Sequence, residues 1–232
     1  MVYHMDISKA KDVLDYWFSK GRYTPDYDKW FMKSEEYDEE IKEKFGDLLK
    51  EAEQGKGFCW LHTKDSYVAH IILLDQFSRH IYRGSGDSFK NDNGCMLFVE
   101  LGWEMYKEQL EGYEFMFAFM PYMHTENMVY QKKGERNFQI HKRLYGNYPL
   151  GDRSKRKLTE PIHVSYMGSL DEVTNNDKEY AMLKSMEPHM VGHKQTIQMF
   201  GRFPKRNEVL DRETTIQEQQ YLNREDVKNR PY

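Results

Sequence analysis

Residues 73–84 hold Asp75, Gln76, Arg79, His80 and Arg83 among Leu73, Leu74, Phe77 and Ile81. That is more polar chemistry than a core helix carries and more apolar surface than a loop carries. On a regular helix Gln76, Arg79, His80 and Arg83 share one face, and Asp75 stands four residues before Arg79, within pairing reach. Two readings follow. Either Asp75 and Arg79 satisfy each other with the arginines in solvent, or Arg79, His80 and Arg83 face a cleft and bind an anion. Arginine suits the second because its planar fork donates two parallel hydrogen bonds to a carboxylate or phosphate. Gly84-Ser85-Gly86 ahead of a helix start would add backbone N–H donors.

Three more places carry chemistry-bearing residues. His124 and Glu126 flank Thr125 at the start of a helix. They could act as general acid and base or as metal ligands, or Thr125 could simply cap the helix with Glu126 at its positive end. His189 and His193 are four apart, but Met190 stands where a zinc protease helix carries its glutamate. His193 also lies on the Met190, Ile197, Phe200 stripe, which reads as core. Finally, Arg202, Lys205 and Arg206 crowd around Phe203 and Pro204, with Asn207 next. The aromatic and the proline suggest a pinned loop that holds its arginines in place. The run from Arg153 to Lys157 reads as a solvated charge run.

The elements that must position these groups read as helices. Val13, Leu14, Trp17 and Phe18 recur at helical spacing after Ser8. Tyr37, Ile41, Phe45, Leu48, Leu49 and Ala52 do so after a Ser34 cap, up to Gly55. A helix opened by Asp65 or Ser66 runs through Phe77 and Ile81 to Gly84. Another restarts at Asp87 or Ser88 and carries Met96, Val99, Trp103 and Tyr106. Residues 113–120 are apolar all round, hence buried, and Pro121 breaks them. Residues 126–145 and 177–200 are two more helices, the second containing Pro188 and closed by Gly201. Thr215 to Glu218 fits a capping box for a last helix. Residues 146–176 read as a long irregular excursion, with one short strand or helix at 162–166. Residues 223–232 read as a charged, frayed tail. No strand alternation is convincing and no fixed-period repeat appears. The fold class is therefore all-α, one domain of stacked antiparallel helices over 1–232.

Composition narrows the function. A net charge of −4 leaves no global basic field, so nucleic acid is not an expected partner. The longest apolar run, residues 115–120, is too short to span a bilayer. Two cysteines without a CxxC pattern, and no leader-like start, fit a cytoplasmic protein. No cofactor motif is present.

Four blocks occur here in order: Val13-Leu14-Asp15-Tyr16-Trp17-Phe18, the run from Leu74 through Asp75, Gln76, Phe77, Ser78, Arg79, His80, Ile81, Tyr82 and Arg83 to Gly84, His124-Thr125-Glu126, and Phe200-Gly201-Arg202-Phe203-Pro204-Lys205-Arg206-Asn207. Together they resemble the DUF924 family, mainly bacterial proteins of uncharacterised activity. The resemblance covers roughly residues 7–144 and 178–222 and implies a TPR-like α–α superhelix. It implies no reaction. The chain departs from the family pattern at Ser78 (usually Pro), His80 (Asn), Thr125 (Ser), Lys205 (His) and Asp211 (Gly).

The expected function is a pocket for a small anionic ligand: a phosphate ester, a nucleotide or a carboxylate. Arg79, Arg83, Arg202 and Arg206 supply charge, Gln76 and Asn207 orient the ligand, Asp75 fixes Arg79, and His80 lies within the same block. His124 and Glu126 are the acid/base candidates. The alternatives are a non-enzymatic scaffold that binds a protein partner and, third, a metal-dependent enzyme using His124, Glu126 and His193.

Overall fold

The computed structural model describes residues 4–146 and 178–228, and every described element is helical. The expected excursion at 146–176 lies outside the described residues except for Gly146, which ends a helix.

Helices α1 (Lys9–Trp17) and α2 (Tyr27–Phe31) precede the long α3 (Glu35–Glu53). In α3 the expected stripe is the buried one: Ile41, Phe45, Leu49 and Ala52 face inward. Ser34 caps it by accepting from the Tyr37 N–H, and Gly55 at φ 76° turns the chain out of it. Only a residue without a Cβ enters that left-handed region at no cost.

A 3₁₀ turn, Lys56–His62, leads to α4 (Lys64–Ile71), whose cap is Thr63 in a reciprocal pair with Ser66, rather than Asp65 or Ser66. The single helix expected over this region does not form. Residues Ile72–Phe77 wind as a π-helix before α5 (Ser78–Ile81). The wider turn changes the phase of the residues that follow, so faces counted on a regular helix no longer apply. The expected restart at Asp87 or Ser88 is a 3₁₀ turn, Gly86–Phe89, and α6 runs Asp92–Tyr106.

Helix α7 (Tyr113–His124) continues through Pro121 instead of stopping there. Pro121 gives up its own bond to the carbonyl four residues back, and the burial of Tyr122 and Met123 favours continuing nonetheless. His124 therefore ends a helix rather than starting one. Helices α8 (Met128–Gly146), α9 (Lys178–Phe200, through Pro188), α10 (Ile216–Leu222) and α11 (Glu225–Lys228) complete the chain. The capping box at Thr215 and Glu218 forms as the spacing requires. At 225–228 the expected frayed tail is a helical turn that buries Val227.

Packing follows the apolar faces. Helix α1 lies on α4, α3 on the π-turn and α5, and α7 on α6, α8 and α9. One continuous core runs from Met5 to Met190. Its centre is aromatic: Trp17 sits 5.4 Å from Phe77 and 5.3 Å from Phe117, ring centre to ring centre. Such side chains contribute about 1.5–3 kcal/mol each by burial. They make a rigid wall behind Asp75 and Gln76.

Candidate functional site

The π-turn carries Asp75 and Gln76 inward, and Asp75 is wholly buried. π-turns inside α-helices recur at functional sites because they re-aim side chains. From the end of α7, His124 places Nδ1 2.8 Å from Asp75 Oδ1 and 3.0 Å from Oδ2. Arg79 NH1 lies 3.0 Å from Asp75 Oδ1 and donates to the Asp75 carbonyl at 2.5 Å. Gln76 Nε2 donates to Asp75 Oδ2 at 2.5 Å. Three donors thus converge on one buried carboxylate.

The network extends through a residue that the spacing did not single out. Asp92, the first residue of α6, accepts from Arg79 NH2 at 2.9 Å and from Arg206 NH1 at 2.9 Å. Arg206 also donates to the His124 carbonyl at 2.9 Å. Its guanidinium lies between the rings of Phe89 (4.2 Å) and Phe203 (4.5 Å). His193, from α9, packs beside this group, with its ring centre 6.1 Å from that of His124.

The electrostatics follow from burial and pairing. Burial alone would raise the Asp75 carboxyl, but the Arg79 charge and the bonds from His124 and Gln76 outweigh it and hold it well below the usual carboxylate range. His124 moves the other way. Burial disfavours its cation more than Asp75 favours it, so its pKa is lowered. The pair is therefore an aspartate and a neutral imidazole. With Nδ1–H donating to Asp75, the lone pair resides on Nε2, the arrangement that makes a histidine a base of fixed orientation. Among the described residues nothing bonds Nε2.

Not all the expected residues gather here. Asp75, Gln76, Arg79, His124 and Arg206 do. Arg83 and His80 turn instead to Asp38 on α3. Arg83 donates to both carboxylate oxygens at 2.5 and 2.8 Å, and His80 Nδ1 is 2.7 Å from Oδ1. Arg202 pairs with both oxygens of Glu218 at 2.7 and 2.9 Å. The four arginines thus do not share one face or one pocket, and each has a carboxylate partner. Asn207, buried, organises its own turn: its Nδ2 donates to Thr214 Oγ1 at 3.3 Å and its carbonyl accepts from the Arg212 N–H at 2.8 Å. That turn puts Asp211 at φ 51°, a left-handed conformation that aspartate and asparagine adopt more readily than other residues with a Cβ.

Glu126 is likewise committed. Both its oxygens accept from Arg212 at 2.9 Å, and Oε1 accepts from the Phe203 N–H at 2.9 Å. It pins the 201–212 segment to the end of α7 and stands apart from the His124 imidazole in role. Among the described residues no three His, Cys, Asp or Glu side chains converge as a metal set. Of the His124, Glu126 and His193 grouping, His124 bonds Asp75, Glu126 bonds Arg212, and His193 packs beside His124.

Asp92, Asp38 and Arg212 are the residues that spacing missed. An aspartate at a helix start reads as a favourable first-turn charge, and nothing local marks its partner 114 positions away.

A family model described as "Bacterial protein of unknown function (DUF924)" matches residues 13–226. No curated protein is significantly similar to the chain. Among solved structures, the protein of unknown function ATU0120 from Agrobacterium tumefaciens is similar at a TM-score of 0.65 and 25% identity. The match covers 93% of this chain and 97% of that one.

Proposed function

This chain belongs to the DUF924 family, and we propose that it binds a small anion at the Asp75–His124–Arg79–Arg206 cluster, taking up a proton on His124 as the anion arrives. The observation that carries this is the wholly buried Asp75 holding His124 by Nδ1 while, among the described residues, nothing bonds Nε2. Burying an aspartate costs several kcal/mol before pairing repays it, more than packing alone requires of a helical wall.

Charge supplies the coupling. Arg79 and Arg206 offset Asp75 and Asp92, and His124 and its neighbour His193 are both held neutral by burial. The cluster is therefore balanced, and an anion unbalances it unless His124 gains a proton. The same imidazole is the group able to act as general acid or base on a bound ligand. The two cysteines, both free thiols, accord with a cytoplasmic setting for this ligand. No described helix is long and apolar enough to cross a membrane.

The test is calorimetric titration with formate and inorganic phosphate at pH 6 and pH 8, in buffers of different ionisation enthalpy. Binding should be tighter at pH 6 and accompanied by uptake of about one proton, because the complex requires the protonated imidazole. His124→Gln should abolish the proton uptake. A second reading is favoured by one observation: each arginine of the set is already paired within the chain. On that reading the network only staples the C-terminal segment to the central helices, in a TPR-like scaffold for a protein partner. Failure of both anions to bind at either pH would select it.

A further inference from the structure

Behind Arg206 lies a small cavity walled by His193 and Thr196 of α9, Phe203 to Arg206, Tyr221 of α10 and Val227 of α11. It encloses about 30 Å³, room for about one or two waters. A nucleoside or a sugar ring does not fit such a space. Its position is specific. His193 forms one wall and packs against His124, while Phe203, the aromatic partner of the Arg206 guanidinium, forms another.

The chemistry of the walls is uneven. One side carries Lys205 and Arg206. Phe203, Pro204 and Val227 make its apolar part, and His193, Thr196 and Tyr221 complete the wall. The two hydroxyls on the wall are already spent: Thr196 Oγ1 lies 2.9 Å from the Gly192 carbonyl and 2.9 Å from the Tyr221 hydroxyl. They offer little to a polar tail. A ligand that suits this lining has a charged end and a short, bare alkyl end.

We infer that the anion is a short-chain monocarboxylate of acetate or propionate size, its carboxylate on the Arg206 side and its alkyl chain in this cavity. This rests on the anion-binding reading above and narrows it. Nucleotides and sugar phosphates are excluded by the size of their tails, and formate, which has no alkyl chain, gains nothing from the cavity. His193 contributes the flat wall between the alkyl chain and the His124 imidazole, so chain length is sensed next to the protonating group.

The experiment is a titration of the wild-type chain at pH 6 with formate, acetate, propionate, butyrate and hexanoate, with inorganic phosphate as the tail-less comparison. Each added methylene should tighten binding about fourfold until the cavity is full, and butyrate and hexanoate should bind no better than propionate. Val227→Leu, which adds one carbon to the wall, should lower the ratio of propionate to formate affinity about fourfold. Val227→Phe should erase the ratio, and should it fail to fold, the wild-type series and the leucine variant decide alone. A flat series with formate and phosphate still binding overturns the cavity assignment and leaves the anion site standing. A series that continues to tighten through hexanoate overturns the size limit. Failure of every anion to bind overturns both readings together.

Discussion

Replacing Asp75 by asparagine isolates the electrostatic centre of the molecule with almost no change in volume. The carboxylate is wholly buried and meets Arg79, His124 Nδ1 and Gln76 Nε2. Asparagine presents one oxygen and one NH₂, so at least one of those donors would face another donor. Arg79 would keep a single counter-charge, Asp92 at 2.9 Å. Removing one partner of a buried ion pair costs about 3–5 kcal/mol. With Asp92 retained, the expected loss is about 3 kcal/mol, and Arg79→Met on top should recover part of it by removing the stranded charge. The assay is urea unfolding followed by fluorescence, from pH 5 to 8. Because the folded-state pKa of Asp75 is depressed, its contribution is fully present above the unfolded value near 3.8 and is lost only as pH falls below it. Above about pH 6.5 the gap between wild type and variant should therefore stay constant, and below it the gap should not shrink, because the variant also loses what favours the His124 cation. A variant within about 1 kcal/mol of wild type, or a double variant less stable than the single, would refute the reasoning.

Two other predictions are independent of any ligand. Burial pushes His70, packed 4.2 Å from Phe98, and His193 each down to about 3. Such a group contributes stability as the neutral form, fully present above the unfolded value near 6.5 and lost as pH falls toward the folded value. Each should cost about 2 kcal/mol between pH 7 and pH 5. His70→Leu should reduce the slope of stability with pH by that amount, and an unchanged slope would contradict it. Arg206→Lys keeps the charge but loses both the fork between Asp92 and the His124 carbonyl and the flat face between Phe89 and Phe203. It should cost about 2 kcal/mol and speed amide exchange across residues 201–212, whereas unaltered exchange there would show that Glu126 and Arg212 hold the segment unaided.

Much of this architecture is legible residue by residue. The Ile41, Phe45, Leu49 stripe, the Ser34 cap, the Thr215–Glu218 box and the stop at Gly201 all form as expected. Each depends on neighbours within a turn or two, and such interactions act in any tertiary setting. The polar density of residues 73–84 likewise marks where the buried chemistry lies.

What spacing could not settle was phase and partnership. Arg79 lies within α5 and Arg83 beyond its end at Ile81, so the two reach different carboxylates, and α7 passes through Pro121 so that His124 closes a helix. Both outcomes depend on how the aromatic core rewards burial on the far side of the chain. Arg206 meets Asp92 across 114 residues, Arg212 meets Glu126 across 86, and Arg83 meets Asp38 across 45. A charge has no period and selects its partner by distance in space, so only the packed helices could decide which carboxylate each arginine would reach.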